Sequence, residues 1–245
     1  MSTILRRLTQ NEDGLPGWLA CPRASGKRPG VLVLHHGPGL SADYKAFAAQ
    51  FAQRGFTALV PNLYNMLGFP GDHHVGLGAE IQKQHGDADF LAVLGRAWRF
   101  LTALPDVDPE RTAAVGHCLG GRLGVPFAAD NPALRALVLY YATITDDAVT
   151  ELRPRHTFQT AGQVKCPTLV LYGGNDFVTS IEMQFRLWQS FVEGGTPVEW
   201  HYFATGTHGF ANPDSEEYQP DREQLATHLV FEFLARALGD TRNDG

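Results

Sequence analysis

Residues 112–125 read TAAVGHCLGGRLGV. A short apolar run, 112–115, meets Gly116-His117-Cys118-Leu119-Gly120-Gly121 and then a stretch of helix-forming residues. Strand, sharp turn and helix in that order make a nucleophile elbow, G-x-Nuc-x-G, with cysteine where serine is usual. The glycines have a steric reason. So tight a turn strains the backbone at its apex, and a side chain two positions to either side collides with the strand or the helix. Gly116 and Gly120 occupy those two positions. A plainer reading of the same residues is a glycine-rich strand–helix loop around a buried cysteine, a residue type often found in cores. The rest of the chain has to decide between the two.

Outward from the elbow, the pattern is alternating strands and helices. Residues 30–35, GVLVLH, form a continuous apolar run between glycines, as expected of a strand buried on both faces. The turn His36-Gly37-Pro38-Gly39-Leu40 follows, then Ser41 as an N-cap. Tyr44, Phe47, Ala48, Phe51 and Ala52 lie at helical spacing, and Gly55 ends that helix. Residues 56–61 are the next buried strand, so short βαβ connections predict a parallel sheet. Further strands are expected at 134–141, 167–172 and 198–203, with helices from Asp87 to Pro105 and over 119–129, 181–192 and 224–238. Residues 1–30 hold one weak strand candidate, 17–21. The Gly-, Pro- and His-rich stretch 62–85 is either a solvated excursion over the sheet edge or a loop bordering the functional site. Residues 142–166 have no clean period and read as a cap or lid segment.

The composition bounds the function. With 245 residues, the chain suits a single α/β domain, 1–245, ending in a polar tail over 239–245. The net charge is -6 and no basic cluster stands out, so nucleic acid and anionic membranes are not expected partners. No apolar run approaches the roughly 20 residues needed to span a bilayer, and MSTILRRLTQ lacks the apolar core of a signal peptide. Three scattered cysteines, Cys21, Cys118 and Cys166, make no disulfide framework or thiolate metal site, which points to the reducing cytoplasm. His35-His36 and His73-His74 are the only metal-like pairs. Adjacent strand residues face opposite ways and no carboxylate stands at a ligand spacing, so neither metal nor cofactor is expected. A monomer or small homo-oligomer is the expected assembly.

Ligands of open α/β sheets bind at the carboxyl ends of the strands. Four reactive positions fall there: His36-Gly37, Cys118, Asp176 and His208. Their order of nucleophile, acid, histidine is that of an α/β-hydrolase triad. Individually, Asp176 reads as an Asx-turn or capping residue and His208 as a polar loop residue; together, in order and at strand ends, they read as a triad. A thiol is mostly protonated at neutral pH, and gains nucleophilicity from a histidine base and from the positive end of the following helix. Asp176 would fix the imidazole tautomer. The N–H groups of Leu119 and Gly37 are the candidate oxyanion hole; Pro38 has no N–H to offer.

The chain resembles the dienelactone hydrolase (carboxymethylenebutenolidase) family of the α/β hydrolases. The likeness runs from about residue 30 to 238. It rests on GHCLGG at 116–121, Tyr140-Tyr141, GGNDFV at 173–178 and HGFAN at 208–212. The resemblance implies a Cys118–His208–Asp176 triad that hydrolyses a small ester or enol-lactone through a thioester, with Tyr141 near the substrate. Two positions depart from the family. His36 stands where it keeps a glutamate that holds the cysteine. Asn212 stands where it places an arginine for the substrate carboxylate, leaving Arg122 as the nearest basic residue in sequence. A weaker demand for a carboxylate follows, and with it two alternatives: a promiscuous carboxylesterase or thioesterase for neutral substrates, or a non-catalytic binding or regulatory protein on a hydrolase fold.

Overall fold

The computed structural model describes residues 2–72, 76–146 and 149–239. The chain opens with β1 (Thr3–Leu8), a one-turn helix α1 (Gln10–Asp13) and β2 (Gly17–Pro22). Then come β3 (Arg28–Leu34), α2 (Asp43–Gln53) and β4 (Thr57–Pro61). Two short helices, α3 (Leu63–Met66) and α4 (Gly78–Gln84), precede α5 (Asp87–Thr102), β5 (Val107–His117) and α6 (Leu119–Asp130). The second half runs β6 (Ala136–Tyr140), α7 (Thr157–Ala161), β7 (Thr168–Asn175), α8 (Ile181–Glu193), β8 (Val198–Thr207) and α9 (Pro220–Leu238).

One eight-stranded sheet has the order β1-β2-β4-β3-β5-β6-β7-β8, and only β2 runs against the rest. The α/β architecture expected from the sequence is the one found. Strands β3, β4 and β6 are buried along their whole length, which is why they read as unbroken apolar runs. Helices α2 and α9 cover one face, joined by Phe51 against Phe231. Helices α5, α6 and α7 cover the other, with α8 packed on α7 and β8.

The order reverses at β3. From β3 the chain steps outward to β4, then crosses back over β3 to β5. The loops after β3 and β5 therefore diverge and leave a crevice between them, the topological switch point where α/β sheets bind ligands. Those two loops carry Gly37 and Cys118.

Several expectations are corrected by the structure. Residues 3–8 form a full edge strand that the sequence reading left out. Its sequence, TILRRL, alternates half-buried and exposed positions, and its arginines ion-pair with Asp13 and Asp72, so it lacks the apolar signature of an inner strand. Strands β7 and β8 extend three and four residues beyond the expected ends, through Asn175 and Thr207. Helices α3 and α4 organise much of 62–85, and both pack on the Gly37 turn. A Cβ on Gly78 would collide with the Gly37 carbonyl oxygen, which also accepts a 2.6 Å hydrogen bond from Tyr64 Oη. In 142–166, residues 157–161 form α7, which packs against α6 and α8. Among the described residues, no helix is long and apolar enough to cross a membrane.

Candidate active site

The elbow is strained where the sequence says it must be. Cys118 has φ 52° and ψ -111°, a conformation L-residues adopt at a cost of order 1–3 kcal/mol. The surroundings enforce it. A Cβ on Gly116 would collide with the Gly120 carbonyl, and one on Gly120 with the carbonyl oxygen of Leu34 on the neighbouring strand. The Cys118 N–H donates to the Tyr140 carbonyl at 3.0 Å, and its own carbonyl accepts from Thr143 at 3.1 Å and Arg122 at 3.0 Å. The thiol thus projects from a fixed backbone at the N-terminus of α6.

Asp176 and His208 are neighbours because of strand register. Asn175 on β7 pairs with Thr207 on β8, so the next residue of each chain segment emerges side by side. The pinch needs small residues: a Cβ on Gly173 would collide with the Gly206 carbonyl. His208 Nδ1 lies 3.1 and 3.0 Å from the two Asp176 carboxylate oxygens. Asp176 Oδ1 also accepts the N–H groups of Val178 and Thr179, both at 2.8 Å. Asp176 therefore makes an Asx-type turn and contacts His208 with the same carboxylate, which the turn holds still. Tyr141 packs edge-on against the His208 ring at 5.3 Å and Phe177 at 5.9 Å.

Cys118 and His208 face each other across the crevice without a formed hydrogen bond. His208 Nε2 is buried with no hydrogen-bond partner among the described residues, while Cys118 Sγ lies 3.1 Å from Thr143 Oγ1. The two side chains nevertheless shift each other. Burial alone pushes the thiol up, but His208, the Thr143 hydroxyl and the Gly37 backbone N–H outweigh it and leave the thiol below its ordinary range. Burial pushes His208 down, yet the Asp176 carboxylate and Cys118 raise it to about 9. Each group thus shifts the other toward its charged form.

The Gly37 N–H that faces this thiol belongs to a tightly held peptide. Its carbonyl side, His36 O, lies 2.8 Å from His35 Nδ1 and accepts from the Gly39 N–H at 3.1 Å. His35 Nε2 in turn accepts the Leu63 N–H at 3.1 Å, which assigns the proton to Nδ1 and makes His35 the donor to His36 O. As the first residue of α6, Leu119 has an N–H with no intrahelical acceptor. Sequence reasoning missed both His35, weighed there only as half of a metal-like pair, and Thr143, in a stretch without period.

Residues 15–238 match the family model described as the dienelactone hydrolase family. The chain belongs to the dienelactone hydrolase family. It is 27% identical over 216 residues to a carboxymethylenebutenolidase-like protein of Methylorubrum extorquens, covering 87% of this chain and 74% of that one. With one from Salmonella typhimurium it shares 31% identity over 192 residues, 75% of this chain and 68% of the relative. A dienelactone hydrolase-like protein of Klebsiella pneumoniae has the same fold, with TM-score 0.86 at 23% identity over 96% of this chain and all of the other. The fold is thus that of the α/β hydrolases.

For a dienelactone hydrolase family member, the remaining candidates are placed as follows. His36 lies near Asn212 and Ser41: its Nδ1 is 3.3 Å from Asn212 Nδ2 and its Nε2 is 3.1 Å from Ser41 Oγ, whose hydroxyl also reaches Asp43. With the amide NH₂ of Asn212 donating to Nδ1, His36 Nε2–H donates to Ser41 Oγ and the Ser41 hydroxyl to the Asp43 carboxylate. Arg122 is not turned to solvent. It is 6% exposed, with Nη1 donating to Asp87 at 2.7 Å, and borders a cleft that shares no wall with Asn212 or Tyr141. His73 and His74 lie outside the described residues. Among the described residues, no group of three or more His, Cys, Asp or Glu side chains is arranged to hold a metal ion.

Proposed function

We propose that this family member is a cysteine hydrolase that cleaves a small ester or lactone through a thioester. The observation that carries the reading is the convergence of the strained Cys118, the Asp176-bound His208 and the Gly37 N–H on one switch-point crevice. The thiolate attacks the carbonyl carbon, and the N–H groups of Gly37 and Leu119 take the developing oxyanion. As the carbon–oxygen bond breaks, the His208 imidazolium gives its proton to the leaving oxygen. The neutral imidazole then takes a proton from water, whose oxygen attacks the thioester. The carbon–sulfur bond breaks, a carboxylic acid leaves and the thiolate–imidazolium pair returns. With a lactone, the leaving oxygen stays tethered and one acid product forms.

Incubation with 4-nitrophenyl acetate followed by acid quenching and intact-mass measurement tests this. The expected result is nitrophenol release with an acetyl adduct on Cys118, both lost in Cys118→Ala. Undiminished turnover in Cys118→Ala would remove the cysteine mechanism. Asn212 at the position of the family's carboxylate-binding arginine favours a second reading, an esterase for substrates without a carboxylate.

A further inference from the structure

A cavity of about 370 Å³ opens between the first turns of α2, residues 211–214 and the start of α9. Its volume is that of a small-molecule pocket. It adjoins the candidate active site through Tyr141, which lines it and packs on the His208 ring, and through His36, the residue before Gly37. Nothing in the hydrolysis steps above uses it.

Two independent features set its chemistry. The first is aromatic: Tyr44, Phe47, His117 and Tyr141 form its inner wall. Phe47 and Tyr44 pack edge-on against the His117 ring at 5.0 and 5.6 Å. His117 is 95% buried, being 5% exposed, and its Nδ1 has no hydrogen-bond partner among the described residues. Burial, opposed only by the Leu34 carbonyl, pushes its imidazole down to about 3, so it contributes no positive charge at neutral pH. The second feature is anionic. Asp43, Asp214 and Glu223 line the cavity, with no Lys or Arg among its described lining residues. Asp43 is crowded: burial, countered by the Ser41 hydroxyl and reinforced by the Asp214 carboxylate, holds its carboxyl above the usual range. A cation placed between these carboxylates relieves that repulsion. Aromatic side chains together with carboxylates and no competing cation are the setting in which proteins bind quaternary and other ammonium groups.

We infer that this cavity takes the cationic ammonium end of the substrate, making the protein selective for amine- or trimethylammonium-bearing esters or lactones. The inference rests on the cysteine-hydrolase reading and names the substrate class of that site. Three 4-nitrophenyl esters of matched length test it: 4-(trimethylammonio)butanoate, its uncharged isostere 5,5-dimethylhexanoate, and the hemiester of glutarate. The expected order of kcat/KM is cationic, neutral, anionic, with the cationic ester favoured over its isostere about tenfold. In the double variant Asp214→Asn/Glu223→Gln that ratio falls toward 1. A wild-type ratio of 1 or less, or a ratio unmoved in the double variant, overturns the inference. If none of the esters is hydrolysed, the hydrolase reading fails. Calorimetry of choline against 3,3-dimethylbutan-1-ol on Cys118→Ala then decides the cavity by itself. Choline bound about tenfold more tightly supports it; equal or absent binding overturns it.

Discussion

The thiol of Cys118 is shifted down and the imidazole of His208 up, because each stabilises the charged form of the other and the Asp176 carboxylate adds to the second effect. In the cysteine mechanism proposed above, the form competent for acylation holds both the thiolate and the imidazolium. Activity therefore rises as the thiol ionises, below the ordinary thiol range, and falls as His208 loses its proton near 9. A kcat/KM profile from pH 5 to 11 should show that alkaline limb; a plateau persisting well above 9 would contradict it. Asp176→Asn removes the largest influence raising the imidazole against its burial. The alkaline limb then moves down toward the reference value of about 6.5. The kcat should fall by a large factor, the same change in a serine-protease triad costing about 10⁴-fold. At this scale the sequence was informative about residue types at strand ends. It gave no sign of Thr143, whose hydroxyl meets the thiol only because the chain after β6 doubles back to donate to the Cys118 carbonyl.

Among the elements, the elbow is the most legible because its requirements are local. A positive φ and two neighbours without Cβ atoms leave a readable mark in five residues. The structure adds what those glycines are pressed against. Gly120 packs on the backbone of the strand alongside, where a Cβ would collide with Leu34 O and come within 2.8 Å of His35 O. Because that partner is backbone and not a movable side chain, Gly120→Ala should destabilise the fold by about 3 kcal/mol. Urea unfolding would show this as a lowered midpoint with an unchanged slope, and an unaltered midpoint would refute the close approach. The edge strand β1 was illegible for the opposite reason. Its pairing with β2 is settled across a turn and a short helix, and its outward positions are charged or exposed.

For the molecule as a whole, Arg122 shows how far chain proximity misleads. It stands four residues from Cys118, yet one helical turn points its guanidinium to Asp87 at the start of α5, with side-chain exposures of 8% and 12%. The pair ties α6 to α5 on one face of the sheet. Arg122→Ala leaves the Asp87 carboxylate buried without this partner and should cost about 3 kcal/mol. A thermal-unfolding midpoint within a degree of wild type would show that the pair is not holding the two helices. The cavity by His36 belongs to this scale too, since α2, residues 211–214 and α9 meet there from three distant parts of the chain.

The sequence by itself determined the α/β class, the buried inner strands, the elbow and the order of Cys118, Asp176 and His208. Each follows from periodicity, backbone sterics or residue type within a few positions. Only the tertiary structure decided that the last pair meet, through the Asn175–Thr207 register. It also decided that Arg122 is turned to α5, and that Tyr44, Asp43 and Glu223 share a cavity wall with Asn212. Such meetings depend on how strands are ordered and helices packed, which is set by the sum of contacts across the whole chain and not by any local run of residues.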